Sequence, residues 1–494
     1  MTFNSLDFML FFAAVFTLYF LLPYRLRNGL LLLASYVFYA AYDLPLALFL
    51  VISTLFNYIM AVPIGRRKSK LLMILGVAVN LGSLGFFKYR RFFLQILSGI
   101  TGVQESDTFK ILTPLGISFI TFTAVSYLVD VYRQEIPAER NLLKFSLFMS
   151  FFPKVVQGPI ERAGDLLPQF DEEHRFDLLR FREGMMMMLY GLFMKMVVAD
   201  RAAIPVDQVF GNLKTYPGST IVMATLFFTL QLYCDFVGYT YTAIGAARVL
   251  GYDFRPNFCQ PYLSLSVSDF WRRWHMSLNR WLTRYVYIPL GGSRCSNARR
   301  IFNVMVTFGI SGLWHGDDWG YVIWGLLNGL YVSVETTIQR LTGRKEKAEQ
   351  AVRRGPAGLI LKGLRWLLTF VLIVFTWLFF RARTLDASLL ALRKIFTKFH
   401  AKAFIALLAE RLPERAGTTI FGLDVRYDLL PLLLGIVIMI IVDRIESKGD
   451  IARSLARGKR LYRWTLAFCL IFGIILFGVY GYGYSASAFI YTGF

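Results

Sequence analysis

The sequence predicts an all-α protein that threads a membrane repeatedly. Three observations carry that expectation. Apolar residues make up 56% of the 494 and charged residues only 17%, with a mean hydropathy of +0.50, whereas soluble domains carry about 25% charge. The apolar residues gather in stretches approaching the ~20 that a helix needs to cross the hydrocarbon. The charges fall in short loops between those stretches, where a membrane protein places cations to fix its orientation. The chain therefore reads as one membrane domain over residues 1–494, with roughly 11–13 membrane segments plus re-entrant and interfacial helices.

In order, the segments run near 6–22, 28–42, 44–63, 71–87, 111–131, 143–160, 184–199, 219–237, 301–315, 319–335, 359–380, 428–442 and 464–480. The first lacks the small-residue cleavage pattern of a signal peptide and is long enough to remain as a helix. Those near 143–160 and 301–315 contain Pro, Gly or His. They are expected to be broken or re-entrant and to line a cavity, because irregular backbone at membrane depth must face protein or water. Residues 252–300, rich in Trp, Arg and Tyr, are expected as helices lying at the cytoplasmic surface or dipping into it. Residues 385–425 alternate apolar and charged positions at helical spacing and read as an amphipathic extracytoplasmic piece. Residues 481–494 open on a small-residue hinge, Gly481, Gly483, Ser485 and Ala486, and are expected as an extracytoplasmic tail.

The net charge of +22 does not mark a nucleic-acid binder, because the cations sit in loops; the surrounding partner is membrane lipid. Arg66 to Lys70, residues 271–300, Arg340 to Arg354 and Lys448 to Arg463 are expected to face the cytoplasm, which leaves both termini outside. Lys88-Tyr89-Arg90-Arg91 conflicts with that topology. Either the fourth segment does not cross fully or these side chains snorkel to the headgroups. The four cysteines show no CxxC or metal-ligand spacing, so neither a disulfide framework nor a metal site is expected. Met185 to Met188 is expected to serve adaptable packing.

Two histidines carry most of the functional signal. His315 lies in Gly312-Leu313-Trp314-His315-Gly316, at the end of an apolar run that begins at Ile301. His275 lies in Phe270-Trp271-Arg272-Arg273-Trp274-His275-Met276-Ser277-Leu278. An ionisable group at membrane depth is a functional candidate by default, and histidine takes and returns protons near neutrality. The alternative is a hydrogen-bonded structural histidine. Asp235, Asp269, Asn279, Glu161 and Asn328 are polar groups in or beside apolar stretches; each could orient a histidine or pair with a nearby arginine.

Together with Pro114-Leu115-Gly116-Ile117-Ser118-Phe119, Phe151-Phe152-Pro153, Gly158-Pro159-Ile160, Tyr233-Cys234-Asp235-Phe236-Val237-Gly238-Tyr239, Asn257-Phe258, Pro261-Tyr262 and Tyr285-Val286-Tyr287-Ile288-Pro289-Leu290-Gly291-Gly292, these runs resemble the membrane-bound O-acyltransferase family. They resemble in particular its bacterial alginate O-acetyltransferase-like branch. The resemblance covers most of the chain, in order. One departure is Val237-Gly238-Tyr239-Thr240-Tyr241, where the alginate-type pattern is Ser-Gly-Tyr-Ser-Asp; the branch that moves D-alanine to teichoic acids also lacks that acid. Ile288-Pro289-Leu290-Gly291-Gly292 and the length favour the acetyl branch.

The resemblance implies a central tunnel pinched at His315, with His315 as the catalytic base and His275 as a second catalytic group. Acetyl-CoA is the implied acyl donor, without a metal. Its phosphates suit the planar guanidinium fork, so Arg272 and Arg273, with Trp274 and Asn279, are the expected donor-binding residues. The alternative makes those arginines topology signals and Trp271, Trp274 and Trp281 an interfacial belt. The ending Phe489-Ile490-Tyr491-Thr492-Gly493-Phe494 resembles a tail associated with envelope acylation, in which the tyrosine takes the acyl group. Tyr491 is otherwise an aromatic interface anchor. The implied acceptor is a cell-envelope or exported polysaccharide, reached through a separate extracytoplasmic esterase-like acetyltransferase, from a bacterial cytoplasmic membrane. D-alanyl transfer to teichoic acid is the enzymatic alternative. A proton-coupled transporter is the non-enzymatic one, although no inverted repeat is apparent.

Overall fold

The apolar runs become helices in the computed structural model, which describes residues 1–41, 44–101, 113–342, 355–400, 419–420, 423–424, 428–446 and 451–480. Leu6–Leu21 starts where the Ser5 hydroxyl accepts from the Phe8 amide at 3.2 Å, the capping geometry that satisfies an otherwise orphaned donor. Among the described residues five helices are long and apolar enough to cross a membrane: Leu44–Arg67, Lys70–Lys88, Gly218–Val249, Pro356–Ala382 and Arg460–Phe477. Leu6–Leu21 and Ile117–Tyr132 are shorter apolar helices. A two-residue antiparallel pairing joins Thr419 to Asp424 and Ile420 to Leu423. The protein is a multi-pass helical membrane protein.

Gly218–Val249 is the centre of the molecule. It packs against Leu178–Phe193 so closely that a Cβ on Gly191 would lie 2.5 Å from the Gly238 carbonyl oxygen, and one on Gly184 2.6 Å from that of Gly245. Both glycine pairs repeat at seven-residue spacing, two turns of helix, so one stripe of small residues brings two backbones together. In a membrane such close packing replaces the hydrophobic drive that water would supply. Met186 and Met188 are buried in the same helix while Met185 is exposed, which is face-dependent packing.

Leu178–Phe193 continues as a π turn, Met194–Ala199, into Asp200–Gly211. A π turn is wider than an α turn, and it brings two residues five apart onto one side. Lys195 Nζ lies 2.8 Å from Asp200 and 2.7 Å from Asp235. A fully buried cation is thereby met by two carboxylates from different elements, the arrangement that ionic groups at membrane depth require.

The break expected within 143–160 is present: Leu142–Ser150 is a short helix, and the buried chain after it is irregular. The segment near 301–315 differs from expectation. Asn297–His315 is one continuous helix, and its Gly312 serves close approach rather than a break, since a Cβ there would collide with the Tyr321 carbonyl of the following helix, Trp319–Thr342. The chain turns only after His315, at an extended Gly316.

Residues 252–300 enter the protein as short pieces, Pro261–Leu263, Val267–Arg273, Met276–Leu282 and Thr283–Tyr287. Trp271, Trp274 and Trp281 are only 7%, 1% and 7% exposed, so they belong to the interior and not to an interfacial belt. Lys88 is also buried, so its side chain is held by protein and does not snorkel to headgroups. Leu385–Thr397 is helical, capped by the Thr384 hydroxyl, and Lys394 ties it to the Leu213 and Tyr216 carbonyls at 2.8 and 2.9 Å. Residues 401–418 and the tail 481–494, with Tyr491, lie outside the described residues.

Candidate active site

His315 and His275, forty residues apart in sequence, meet in one aromatic chamber. His315 ends the Asn297–His315 helix and is 3% exposed; His275 is 1% exposed. The Trp314 ring is shared between them, 4.9 Å from His315 and 5.8 Å from His275 by ring centroids. Phe236 packs edge-on to His275 at 4.7 Å, and Trp324 and Phe380 pack on His315 at 5.0 and 5.2 Å. The long helix Gly218–Val249 contributes Phe236, from the residue after the Lys195-paired Asp235.

His275 has φ 43, in the left-handed region, which few residues other than glycine adopt. Two asparagines fix that turn. The Asn257 carbonyl accepts from the Met276 amide at 2.9 Å, and its side-chain oxygen accepts from the Ser277 amide at 3.0 Å. Asn279 Nδ2 donates to the Trp274 carbonyl at 2.7 Å and also to that of Trp271. A strained backbone persists where its surroundings over-determine it, and such sites cluster at functional positions.

The end of the His315 helix is held from outside. The Leu313 carbonyl accepts from the Tyr89 hydroxyl at 2.6 Å, and the Trp314 carbonyl accepts from Lys88 Nζ at 2.7 Å. Lys88 was not apparent as a site residue from sequence. Its signal was the cation ending an apolar run against the expected topology.

A cavity of about 880 Å³ reaches Met276, Ser277 and Ser311, the chain neighbours of His275 and the residue one turn before His315. Its walls carry Arg255, Arg272, Arg280, Arg300 and Arg340. Most of these guanidiniums have protein partners: Arg255 bonds Asp165 at 2.8 Å, Arg300 bonds Asn297 and Thr337, each at 2.8 Å, and Arg340 bonds the Ser293 carbonyl at 3.1 Å. Arg272 and Arg273 both pair with Asp269, at 3.1 and 3.0 Å, and Arg273 is not part of the cavity wall. Arg280 is half-buried, and its guanidinium makes no hydrogen bond or ion pair among the described residues. Burial lowers its pKa, opposed by Glu161 nearby. Burial pushes the Glu161 carboxyl up to about 7, opposed by the Arg255 amide and then by Arg280.

The remaining sequence candidates fall into place around this cavity. Trp274 is packed among Phe258, Phe270 and Trp377 at 5.1, 5.5 and 5.2 Å and does not line the cavity. Asn279 lines it with its amide engaged as above. Asp235 pairs with Lys195, Glu161 accepts from the Arg255 amide at 2.8 Å, and Asn328 accepts from the Trp271 indole at 3.1 Å. Among the described residues no group of three or more His, Cys, Asp or Glu could hold a metal ion. A basic cavity that ends beside two buried histidines can bind an anionic acyl donor and move a proton at the acceptor.

Comparison with known proteins gives the family. Residues 31–380 match the family model of MBOAT, the membrane-bound O-acyltransferase family. The chain is 39% identical over 398 residues to the probable alginate O-acetylase AlgI of Pseudomonas aeruginosa, covering 78% of this chain and 73% of that one. It is 34% identical over 411 residues to the peptidoglycan O-acetyltransferase of Helicobacter pylori, covering 76% of each. To the teichoic acid D-alanyltransferase of Streptococcus thermophilus it is 28% identical over 306 residues, 56% of this chain and 70% of that one. With most of its length matched and the histidine chamber built from the matched region, this chain belongs to the membrane-bound O-acyltransferase family and is an O-acyltransferase.

Proposed function

We propose that the protein takes acetyl from cytoplasmic acetyl-CoA and passes it across a bacterial cytoplasmic membrane for O-acetylation of a cell-envelope or exported polysaccharide. The observation that carries this reading is the arginine-walled cavity reaching the neighbours of His275 and His315. The donor's phosphates sit among the arginines and its thioester points toward the histidines. His315 accepts the proton of the acceptor hydroxyl as its oxygen attacks the thioester carbonyl. The tetrahedral adduct collapses to the ester, and the CoA thiolate leaves and takes up the proton. The basic loops then face the cytoplasm and both termini lie outside.

The named acetyl-transferring relatives match more of this chain, at higher identity, than the D-alanyl-transferring one, which supports acetyl over D-alanine. Release of CoA thiol from acetyl-CoA by the purified protein tests the reading; a transporter would release none.

Within the cavity, Arg280 is the residue placed to take a donor phosphate, because its neighbours already have partners. Arg280→Met should weaken acetyl-CoA binding by about 10–100-fold, since a charged hydrogen bond contributes roughly 1.5–3 kcal/mol. Arg273→Ala should change it little. Calorimetric titration of acetyl-CoA into the two variants checks the contrast, and equal affinities would return Arg280 to a topological role.

Tyr491 is proposed to relay the acetyl group outward to an extracytoplasmic esterase-like acetyltransferase. Labelled acetyl-CoA should leave its label on the C-terminal peptide, detectable by mass spectrometry, and not in a His315→Ala protein. An unlabelled tail would leave Tyr491 as an interface anchor.

A further inference from the structure

We propose that Lys88 is a positioning residue for His315: its ammonium, together with the Tyr89 hydroxyl, clamps the end of the helix that carries the histidine. The inference rests on the reading of His315 as the base. An α-helix leaves its last four carbonyls without intrahelical partners. In Asn297–His315 these include Leu313 and Trp314, immediately before the histidine.

Both carbonyls are taken by one neighbouring strip of chain. Lys88 Nζ donates to the Trp314 carbonyl at 2.7 Å and to the Ser118 hydroxyl at 3.3 Å, while the Tyr89 hydroxyl donates to the Leu313 carbonyl at 2.6 Å. The same ammonium lies 6.0 Å from the Trp314 ring centroid, within reach of a cation–π attraction. Lys88 therefore touches both backbone and ring of the tryptophan that contacts both histidines.

A buried ammonium at the end of an apolar helix is costly unless acceptors meet it. Here the negative end of a second helix does so, and that end favours a cation. Lys88 closes the last turn of the His315 helix, and the turn sets where the imidazole stands. Neither Lys88, Tyr89 nor Ser118 lines the arginine cavity, so the clamp acts on the chemical step and not on donor binding.

The test compares kcat, donor KM and amide exchange in purified variants. Lys88→Met should lower kcat by about 10–100-fold, the scale expected for a displaced catalytic group, with KM for acetyl-CoA unchanged. Lys88→Arg, which keeps a cation, should recover part of that loss. Amide exchange in the peptide covering Leu313 to Gly316 should quicken in Lys88→Met. A wild-type kcat, no recovery with arginine, or unchanged exchange overturns the inference.

Tyr89→Phe removes only the hydroxyl and covers the case in which Lys88→Met does not accumulate. It should lower kcat at constant KM, and a wild-type kcat there also overturns the clamp. His315→Ala is run beside these variants. If it stays active, the reading of His315 as base fails while the clamp is judged by exchange alone. If it is inactive and Lys88→Met is not impaired, only the clamp fails.

Discussion

Replacing His315 with alanine should lower acyl transfer by about 10²–10⁴-fold, the usual contribution of a general base, while the protein still inserts and folds. The imidazole is buried against Trp314, Trp324 and Phe380, so its loss removes some packing. The helix end does not depend on the ring. It is held through the Leu313 and Trp314 carbonyls by Tyr89 and Lys88, and through the close contact of Gly312 with the Tyr321 backbone. Donor binding should also survive, because the arginine-walled cavity does not include His315. The measurement is CoA release by purified His315→Ala, alongside its extraction yield and its affinity for acetyl-CoA. Near-wild-type release from a well-expressed variant would sink the mechanism.

The membrane fold, and His315 and His275 as separate candidates, are legible in the sequence because hydropathy and an out-of-place ionisable group are local signals; that the two rings share Trp314 is not. Each apolar run states its own length, and His315 stands out against the residues beside it. What the sequence could not state is partnership. Lys88 looked like a topology signal because charge alone does not say whether a cation faces headgroups or another helix's carbonyls. Arg272 and Arg273 are conspicuous by adjacency, yet Asp269, three and four residues before them, already lies on the same helical face. Arg280, less conspicuous in sequence, is a cavity-wall guanidinium with no hydrogen bond or ion pair among the described residues. The continuous helix through Gly309 and Gly312 looks broken or re-entrant in sequence for a related reason. Glycine weakens a helix in isolation but lets a partner backbone approach, and only the partner, Trp319–Thr342, decides which effect wins.

His275→Gly should be nearly as inactive as His275→Ala, yet more stable. The backbone at this position has φ 43, where an L side chain costs about 1–2 kcal/mol that glycine does not incur. Asn257 and Asn279 hold the turn through main-chain groups of Trp274, Met276 and Ser277, and glycine keeps all of those bonds. The two variants therefore share the loss of the ring and differ in strain, which separates two explanations of a buried histidine. If the residue exists to shape the turn, glycine should restore activity where alanine does not. If the imidazole between Phe236 and Trp314 takes part in the proton transfer, both should lose about 10²-fold or more, with glycine unfolding at the higher temperature. Acyl transfer and thermal unfolding measured together decide between them, and a His275→Gly protein with wild-type turnover would reduce His275 to a structural element.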